Sequence, residues 1–174
     1  LEADAYVVVV DNEDGKILSK YDCPKVVGDD LPLLYRMEIE DKDYQLNKNI
    51  RAFGIRFYYT MHSRINPYYV TKLSLFVYEN NLLKRILCEY PVSEYMGEVY
   101  DQDVCMSWYL SLDSDIMTDE NEKDEFRDLI IEEVLTHGYD CDEKKIFDNQ
   151  RLIYNGKEYG FKEKNLYQLL LDLE

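Results

Sequence analysis

An α+β fold is predicted by the sequence: a meandering antiparallel sheet of about six to eight strands with two C-terminal helices packed on it. Two observations favour this class. Aromatic and β-branched residues recur at strand spacing over residues 6–112, and apolar residues recur at helical spacing after residue 118. A chain of 174 residues with 46% hydrophobic residues can form one core, so residues 1–174 are expected to be a single domain.

Strands joined by tight turns are predicted for the first two thirds of the chain. Tyr6 to Val10 is an apolar run, which favours a strand buried on both faces, and Asp14-Gly15 favours a hairpin turn after it. Residues 52–61 show the clearest alternation of apolar and polar side chains. The predicted strands cover residues 6–10, 16–21, 34–40, 52–61, 68–78, 82–90, 94–100 and 104–112.

Two helices are predicted in the last third of the chain, one on each side of a hairpin. Residues 119–137 place apolar side chains at three- and four-residue spacing and end before Gly138, a residue type that commonly terminates helices. Asn155-Gly156 is typical of a two-residue hairpin turn. Residues 164–173 bring four leucines to one helical face, so a terminal helix is expected there.

The negative charge of the chain is concentrated in one segment. The net charge is −16, and residues 89–143 contain 18 acidic and only 2 basic residues. Binding to nucleic acid or to an anionic membrane surface needs clustered Lys and Arg, so neither is expected. The longest apolar run, residues 5–10, is far shorter than the roughly 20 residues that cross a bilayer, and no membrane insertion is expected.

Four cysteines are too widely spaced for a CxxC metal or redox motif. Reduced thiols in a cytoplasmic protein are the first expectation, because disulfides are rare in that compartment. Two disulfides in a secreted or surface-exposed protein, with its leader already removed, are the alternative. The cysteines are Cys23, Cys88, Cys105 and Cys141.

The sequence lacks recognisable motifs for catalysis and cofactor binding. It contains no Gly-rich phosphate-binding loop and no elbow around a nucleophilic serine. His62 could be drawn as a hydrolase dyad with Ser63 or with Cys88, but a loop histidine is the simpler interpretation. No catalytic residue, cofactor or metal is therefore predicted, and an enzyme is not expected.

Acidic residues between positions 113 and 124 loosely resemble a calcium-binding loop. Met117 and Thr118 stand where an EF-hand needs a ligand and a glycine, which breaks the pattern. A solvated acidic loop is the simpler interpretation, and a bound divalent cation is the alternative. The residues concerned are Asp113, Asp115, Asp119, Asn121 and Asp124.

Tyrosine is the most unusual component, with 17 Tyr against a single Trp. Tyr is a frequent anchor at protein interfaces, and an acidic surface attracts basic partners. The leading hypothesis is a non-enzymatic protein-binding domain that presents an acidic, tyrosine-rich surface to a basic protein, as an immunity protein, an inhibitor or a host-interaction factor would. The predicted contact residues are Tyr95, Tyr100, Asp101, Asp103, Tyr109, Asp113, Asp115, Asp119 and Glu120.

Two other function classes stay open on the sequence. One is a secreted or surface-exposed β-rich module with disulfides and a possible Ca²⁺ site, and the other is a small hydrolase around His62. The composition, rich in Tyr, Asn, Asp and Lys and poor in Ala, is typical of AT-rich bacterial or viral genomes.

Overall fold

Nearly all of the described chain is β-structure. The computed structural model describes residues 3–27, 32–61, 63–99, 107–121, 125–139 and 141–163, together with Leu166 and Leu169. Strand accounts for 73% of the chain and helix for 1%, so the predicted α+β class is wrong and the fold is all-β. The strands are β1 (Ala3–Val10), β2 (Ile17–Val27), β3 (Leu33–Gln45), β4 (Arg51–Met61), β5 (Tyr68–Glu79), β6 (Leu82–Val99), β7 (Ser107–Thr118), β8 (Leu129–Tyr139) and β9 (Asp142–Leu152).

Strands β3 to β9 form one antiparallel sheet in which each strand pairs with its neighbours in the chain. Strands β1 and β2 form a separate two-stranded sheet. The predicted meandering antiparallel sheet is thus confirmed. Strand β6 is the longest: its residues 82–92 pair with β5 alone, and its residues 93–99 also pair with β7.

The first predicted helix, residues 119–137, is wrong, because residues 129–137 belong to strand β8. The apolar residues of this segment are compatible with a helix and with a buried strand, since they occupy both odd and even positions. Pairing with β7 on one side and β9 on the other satisfies the backbone groups that a helix would have paired internally. The β-branched residues that favour the strand are Ile130, Ile131, Val134 and Thr136.

The second predicted helix, residues 164–173, lies outside the described residues except for Leu166 and Leu169. The described part of the chain contains no interpretable helix, so the predicted pair of C-terminal helices is wrong. Leu166 is 2% exposed and joins an apolar cluster with Leu110 of β7 and Leu135 of β8. Among the described residues, no helix is long and apolar enough to cross a membrane.

The turn at Asn155-Gly156 forms, but it closes a single bridge between Tyr154 and Tyr159 rather than a two-stranded hairpin. The backbone N–H of Tyr159 donates to the carbonyl oxygen of Ile86, with 2.7 Å between the two atoms. The segment after β9 is therefore held against the half of β6 that pairs with β5 alone.

The predicted hairpin at Asp14-Gly15 is confirmed: Gly15 has a φ of +71°, which glycine adopts without strain. The prediction that residues 6–10 are buried on both faces is wrong, because Tyr6 is 54% exposed while Val7 is 7% exposed. Only the inner side of the hairpin packs on the large sheet. The buried residues of that contact are Val7, Cys23, Ile55, Phe57, Phe76 and Leu83.

One apolar cluster joins the two halves of the seven-stranded sheet. Leu73 and Leu75 of β5 belong to it together with Ile116 of β7 and Leu129 of β8, and all four are at most 2% exposed. Burying such a side chain stabilises the fold by roughly 1.5–3 kcal/mol. Many side chains on the opposite side of β7, β8 and β9 are exposed, and several predicted contact residues lie there.

Candidate functional site

Four of the nine predicted contact residues share one face of the sheet. Tyr95 of β6 lies directly opposite Ser111 of β7, and the other three lie on β7 at two-residue spacing from Ser111. Side chains two residues apart on a strand, and side chains directly opposite on neighbouring strands, project to the same side. The four residues are Tyr95, Tyr109, Asp113 and Asp115.

Two further predicted contact residues, Asp119 and Glu120, follow the end of β7. Asp119 is 8% exposed, and its Oδ2 lies 2.7 Å from Nη1 of Arg151. A hydrogen bond from the backbone N–H of Asn121, and then the Arg151 charge, lower the pKa of Asp119. Asp119 thus serves the fold, and its neighbour Glu120 is exposed. Outside the described residues lie Tyr100, Asp101 and Asp103.

Three tyrosines stand side by side across β5, β6 and β7. The ring centroids of Tyr69 and Tyr95 are 6.1 Å apart, and those of Tyr95 and Tyr109 are 5.7 Å apart with 21° between the ring planes. Aromatic pairs at such separations contribute about 0.5–1.5 kcal/mol beyond the area they bury. Tyr69 is 49% exposed, so the row opens to solvent at β5.

The row ends at a carboxylate on β9. The hydroxyl of Tyr109 donates a hydrogen bond to Oε1 of Glu143. This bond is the main reason that the pKa of Tyr109 is raised to about 12, so the hydroxyl stays protonated and holds Glu143 beside the row. Burial, and to a smaller degree the neighbouring Tyr69, raise the pKa of Tyr95.

Negative charge extends along the same face. Glu132 of β8 lies directly opposite Asp115, and both carboxylates are exposed. Like charges in such a pair destabilise a sheet. Lys42 of β3 compensates in part, with its Nζ 2.5 Å from Oδ1 of Asp115. Asp113 is exposed one position further along that face of β7.

A large apolar side chain completes this surface. Phe147 of β9 lies opposite Val134 of β8, which lies opposite Asp113, so these three side chains share a face. Phe147 is 75% exposed, and a phenyl ring in that position gives the free domain no packing. We call this surface the open face. Its residues are Tyr69, Tyr95, Tyr109, Asp113, Asp115, Glu132, Glu143 and Phe147.

Other carboxylates of the acidic segment are directed into the fold. Glu133 is 4% exposed, and it accepts hydrogen bonds from the hydroxyl of Tyr90 at 2.7 Å and from Nε2 of Gln150 at 2.6 Å. Asp128 is 2% exposed, and its Oδ2 lies 3.1 Å from Nη1 of Arg151. Among its described carboxylates, the acidic segment thus contains an inward set that supports the fold, such as Glu133 and Asp128, and an outward set on the open face.

Sequence analysis does not identify Glu132, Glu143 and Phe147 as site residues. The helical prediction over residues 119–137 hides the strand position of Glu132, and residues 142–150 carry no strand prediction, since the predicted hairpin begins only at Arg151. Strand β9 lies at the end of the sheet order, and most of its side chains on both faces are exposed. A segment of this kind lacks the alternation by which a half-buried strand is recognised.

Cys88 and the carboxylates of the calcium-like segment can be compared with the chemistry that catalysis or calcium binding would need. Burial raises the pKa of the Cys88 thiol, whereas an activated thiol nucleophile needs a lowered pKa. His62 lies outside the described residues. Asp113 projects from the open face and Asp119 projects inward, so these predicted ligands do not converge. No group of three His, Cys, Asp or Glu side chains in the described part of the chain could hold a metal ion.

The cysteines follow neither of the two predicted patterns. Cys141 is disulfide-bonded, whereas Cys23 and Cys88 are free. Four reduced thiols and two disulfides are therefore both ruled out as descriptions of this structure. A single cross-link at the turn between β8 and β9 remains, next to the strand that carries Glu143 and Phe147.

Known proteins offer no assignment for this fold. No protein-family model, curated protein or solved structure matches the chain. Function therefore has to be inferred from the open face and from the chemistry of the cysteines.

Proposed function

We propose that this chain is a non-enzymatic protein-binding domain whose open face engages a basic segment of a partner protein. The observation that carries this proposal is that three neighbouring tyrosines and four exposed carboxylates lie on one face of the sheet. Aromatic rings supply contact area at interfaces, and carboxylates steer and select a basic partner. An immunity protein, an inhibitor or a host-interaction factor would use such a surface.

Two features of the domain favour a partner bound to the open face. Glu132 lies opposite Asp115, whose charge Lys42 offsets in part, and Phe147 exposes most of its ring to water. A cationic side chain between the two carboxylates would relieve the remaining repulsion between them, and an apolar contact would cover the ring. Both changes favour the bound state over the free state.

Arginine is the side chain that fits this surface best. Its guanidinium group can stack on an exposed tyrosine ring such as that of Tyr69, and it can pair with a carboxylate through two hydrogen bonds. Lysine offers the charge without the planar stacking surface. We therefore expect arginine-rich ligands to bind more tightly than lysine-rich ligands of equal charge.

The disulfide at Cys141 favours an oxidising compartment for this function. Disulfides persist in secreted and surface-exposed proteins and are rare in the cytoplasm. This observation supports the secreted or surface-exposed alternative over the cytoplasmic expectation. The proposed binding function is compatible with either location.

A random peptide display library, panned against the folded domain, tests the proposal. Recovered peptides should be enriched in Arg, and their affinity should fall as the salt concentration rises. Tyr95→Ala should weaken the best peptide about tenfold or more, the loss of about 1.4 kcal/mol expected for an aromatic anchor. The double variant Asp113→Asn/Glu132→Gln should weaken binding and flatten its salt dependence.

A second double variant, which removes the same charge elsewhere on the domain, distinguishes binding at the open face from an effect of the overall negative charge. Glu13→Gln/Glu125→Gln also removes two exposed carboxylates, but these lie in the β1–β2 turn and before β8. Its affinity for the best peptide should stay within about twofold of the unaltered domain. Recovery of acidic or purely apolar peptides, or equal losses in both double variants, would show that the open face is not the binding surface.

A further inference from the structure

Strand β3 forms one end of the seven-stranded sheet. In the described part of the chain it pairs with β4 alone, so the backbone N–H and C=O groups along its outer edge have no strand opposite them. Such an edge is a template for another strand, and proteins usually protect it with charges, prolines or very short strands. Strand β3 is 13 residues long and contains no proline.

Both faces of this edge expose side chains that suit a partner strand. Met37 is 39% exposed and Ile39 is 70% exposed on one face. On the other face Arg36 and Glu38 are exposed, and they pair with each other at 2.7 Å between Nη2 and Oε2. Within the stretch Arg36 to Ile39, one face is therefore apolar and the other carries one charge of each sign, whereas four further charged residues follow at positions 40–43.

The order of these charges selects a register with a second copy of the same strand. In an antiparallel pair of identical strands, residues that share a face must lie opposite each other, so only a few registers are allowed. A register centred on Arg36 places two arginines opposite each other, and a register centred on Glu38 places two glutamates opposite each other. A register centred on Met37 places Arg36 of each copy opposite Glu38 of the other.

We propose that two copies of this chain associate through β3, antiparallel and about a two-fold axis at Met37. The seven-stranded sheets of the two copies would then join edge to edge. On one face Arg36 of each copy pairs with Glu38 of the other, and on the other face the two Met37 side chains lie opposite each other. The stretch Arg36 to Ile39 contains no residue of the open face, although Lys42, further along β3, pairs with Asp115. The proposal does not depend on the peptide-binding function.

Irregular pairing limits the length of this contact. The β3–β4 register shifts between Leu34 and Arg36 and again between Ile39 and Asp43, so the regular stretch of β3 is Arg36 to Ile39. Register shifts of this kind bend a strand and interrupt a straight ladder. Because the contact is symmetric about a two-fold axis, it uses the same edge of both copies and closes as a dimer.

Sedimentation equilibrium over a range of protein concentrations tests the proposal. The unaltered chain should show a concentration-dependent equilibrium between monomer and dimer. Arg36→Glu and Glu38→Arg each create repulsion in both halves of the interface, so each variant alone should weaken dimerisation at least tenfold. An equimolar mixture of the two variants restores every opposite-charge pair, and it should form heterodimers at least as readily as the unaltered chain.

Apolar variants and a matched control complete the test. Met37→Lys should abolish the dimer, whereas Ile65→Lys, at a residue 62% exposed between β4 and β5, should leave it unchanged. Urea denaturation of each variant shows whether the monomer stays folded, which matters for Glu38 because it accepts a hydrogen bond from Tyr58. A strictly monomeric unaltered chain, growth beyond dimers, or a mixture that stays monomeric would overturn the proposal.

Discussion

The ring of Tyr109 occupies the space that a side chain at Gly138 would fill. A Cβ atom at position 138 would lie 2.5 Å from Cζ of Tyr109, well inside van der Waals contact. The two residues lie directly opposite each other on β7 and β8, so the ring extends across the backbone of β8 toward Glu143. Glycine at this position is what lets Tyr109 lie along the open face.

Gly138→Ala should therefore destabilise the domain by about 1–3 kcal/mol, the usual cost of forcing extra volume into a packed site. Urea denaturation followed by circular dichroism measures the change. Gly160→Ala is the matched control, because no heavy atom lies within 4 Å of a Cβ built there, and its effect should stay within about 0.5 kcal/mol. Equal effects of the two substitutions would contradict the close approach of Tyr109.

Tyr90→Phe should cost about 1–3 kcal/mol, because it removes a donor from the buried carboxylate of Glu133. Tyr78→Phe is its control, since that hydroxyl bonds to exposed Asn81 at 3.2 Å, and it should change stability by less than about 0.5 kcal/mol.

Burial raises the pKa of Tyr90 above its ordinary value of 10.0. The stabilisation is therefore present below pH 10 and is lost at higher pH, so the gap between Tyr90→Phe and the unaltered domain should narrow there. A gap that widens above pH 10 would argue against a protonated, buried Tyr90.

Arg151→Gln should lower the urea midpoint more than Arg51→Gln does. Arg151 pairs with two buried carboxylates, Asp119 and Asp128, whereas Arg51 pairs with a largely exposed one, Asp43. The pKa of Asp119 is lowered in the fold, so its contribution is present above the ordinary aspartate range and is lost as the pH falls through the folded value.

The measurement for Arg151→Gln is a series of urea titrations from neutral to acidic pH. The difference from the unaltered domain should be largest near neutrality and should shrink below about pH 4, where aspartate becomes protonated in the unfolded chain. A difference that is independent of pH would mean that the arginine acts through packing rather than through its charge.

Thiol titration should find one reactive cysteine in the native domain and a second only after denaturation. Cys88 is exposed, whereas Cys23 is 4% exposed beneath the β1–β2 hairpin, and burial raises the pKa of both thiols. All four cysteines should react once a reductant is added. Peptide mapping without reduction should recover the peptide that contains Cys141 in cross-linked form. Four reactive thiols without reductant would contradict the disulfide.

Strand alternation in the first half of the chain is what made most of the sheet predictable. Residues 52–61 show why: Ile55 and Phe57 pack under the β1–β2 hairpin while Arg56 and Tyr58 project to the other side, so the sequence pattern follows burial directly. The turn between β5 and β6 is also determined by its own residues. Asn80 and Asn81 both adopt positive φ, which asparagine tolerates.

The hydrophobic pattern of β8 does not distinguish a strand from a helix. Its partners β7 and β9 supply the backbone hydrogen bonds that decide the matter, and a periodicity argument contains no information about them. Four of the predicted contact residues, Tyr95, Tyr109, Asp113 and Asp115, lie within β6 and β7 and share the open face. Glu132 and Phe147 join it only through cross-strand register, which depends on the assembled sheet.

Every ladder of the large sheet joins strands that are consecutive in the chain, and this has a consequence for biogenesis. Each new strand finds its docking edge already formed by the residues just before it, so loop closure costs little entropy at any step. A nascent chain can then add strands in the order in which they are synthesised, without waiting for a distant segment. The edge of β3 is completed first and stays uncovered throughout, so encounters between growing chains would begin there.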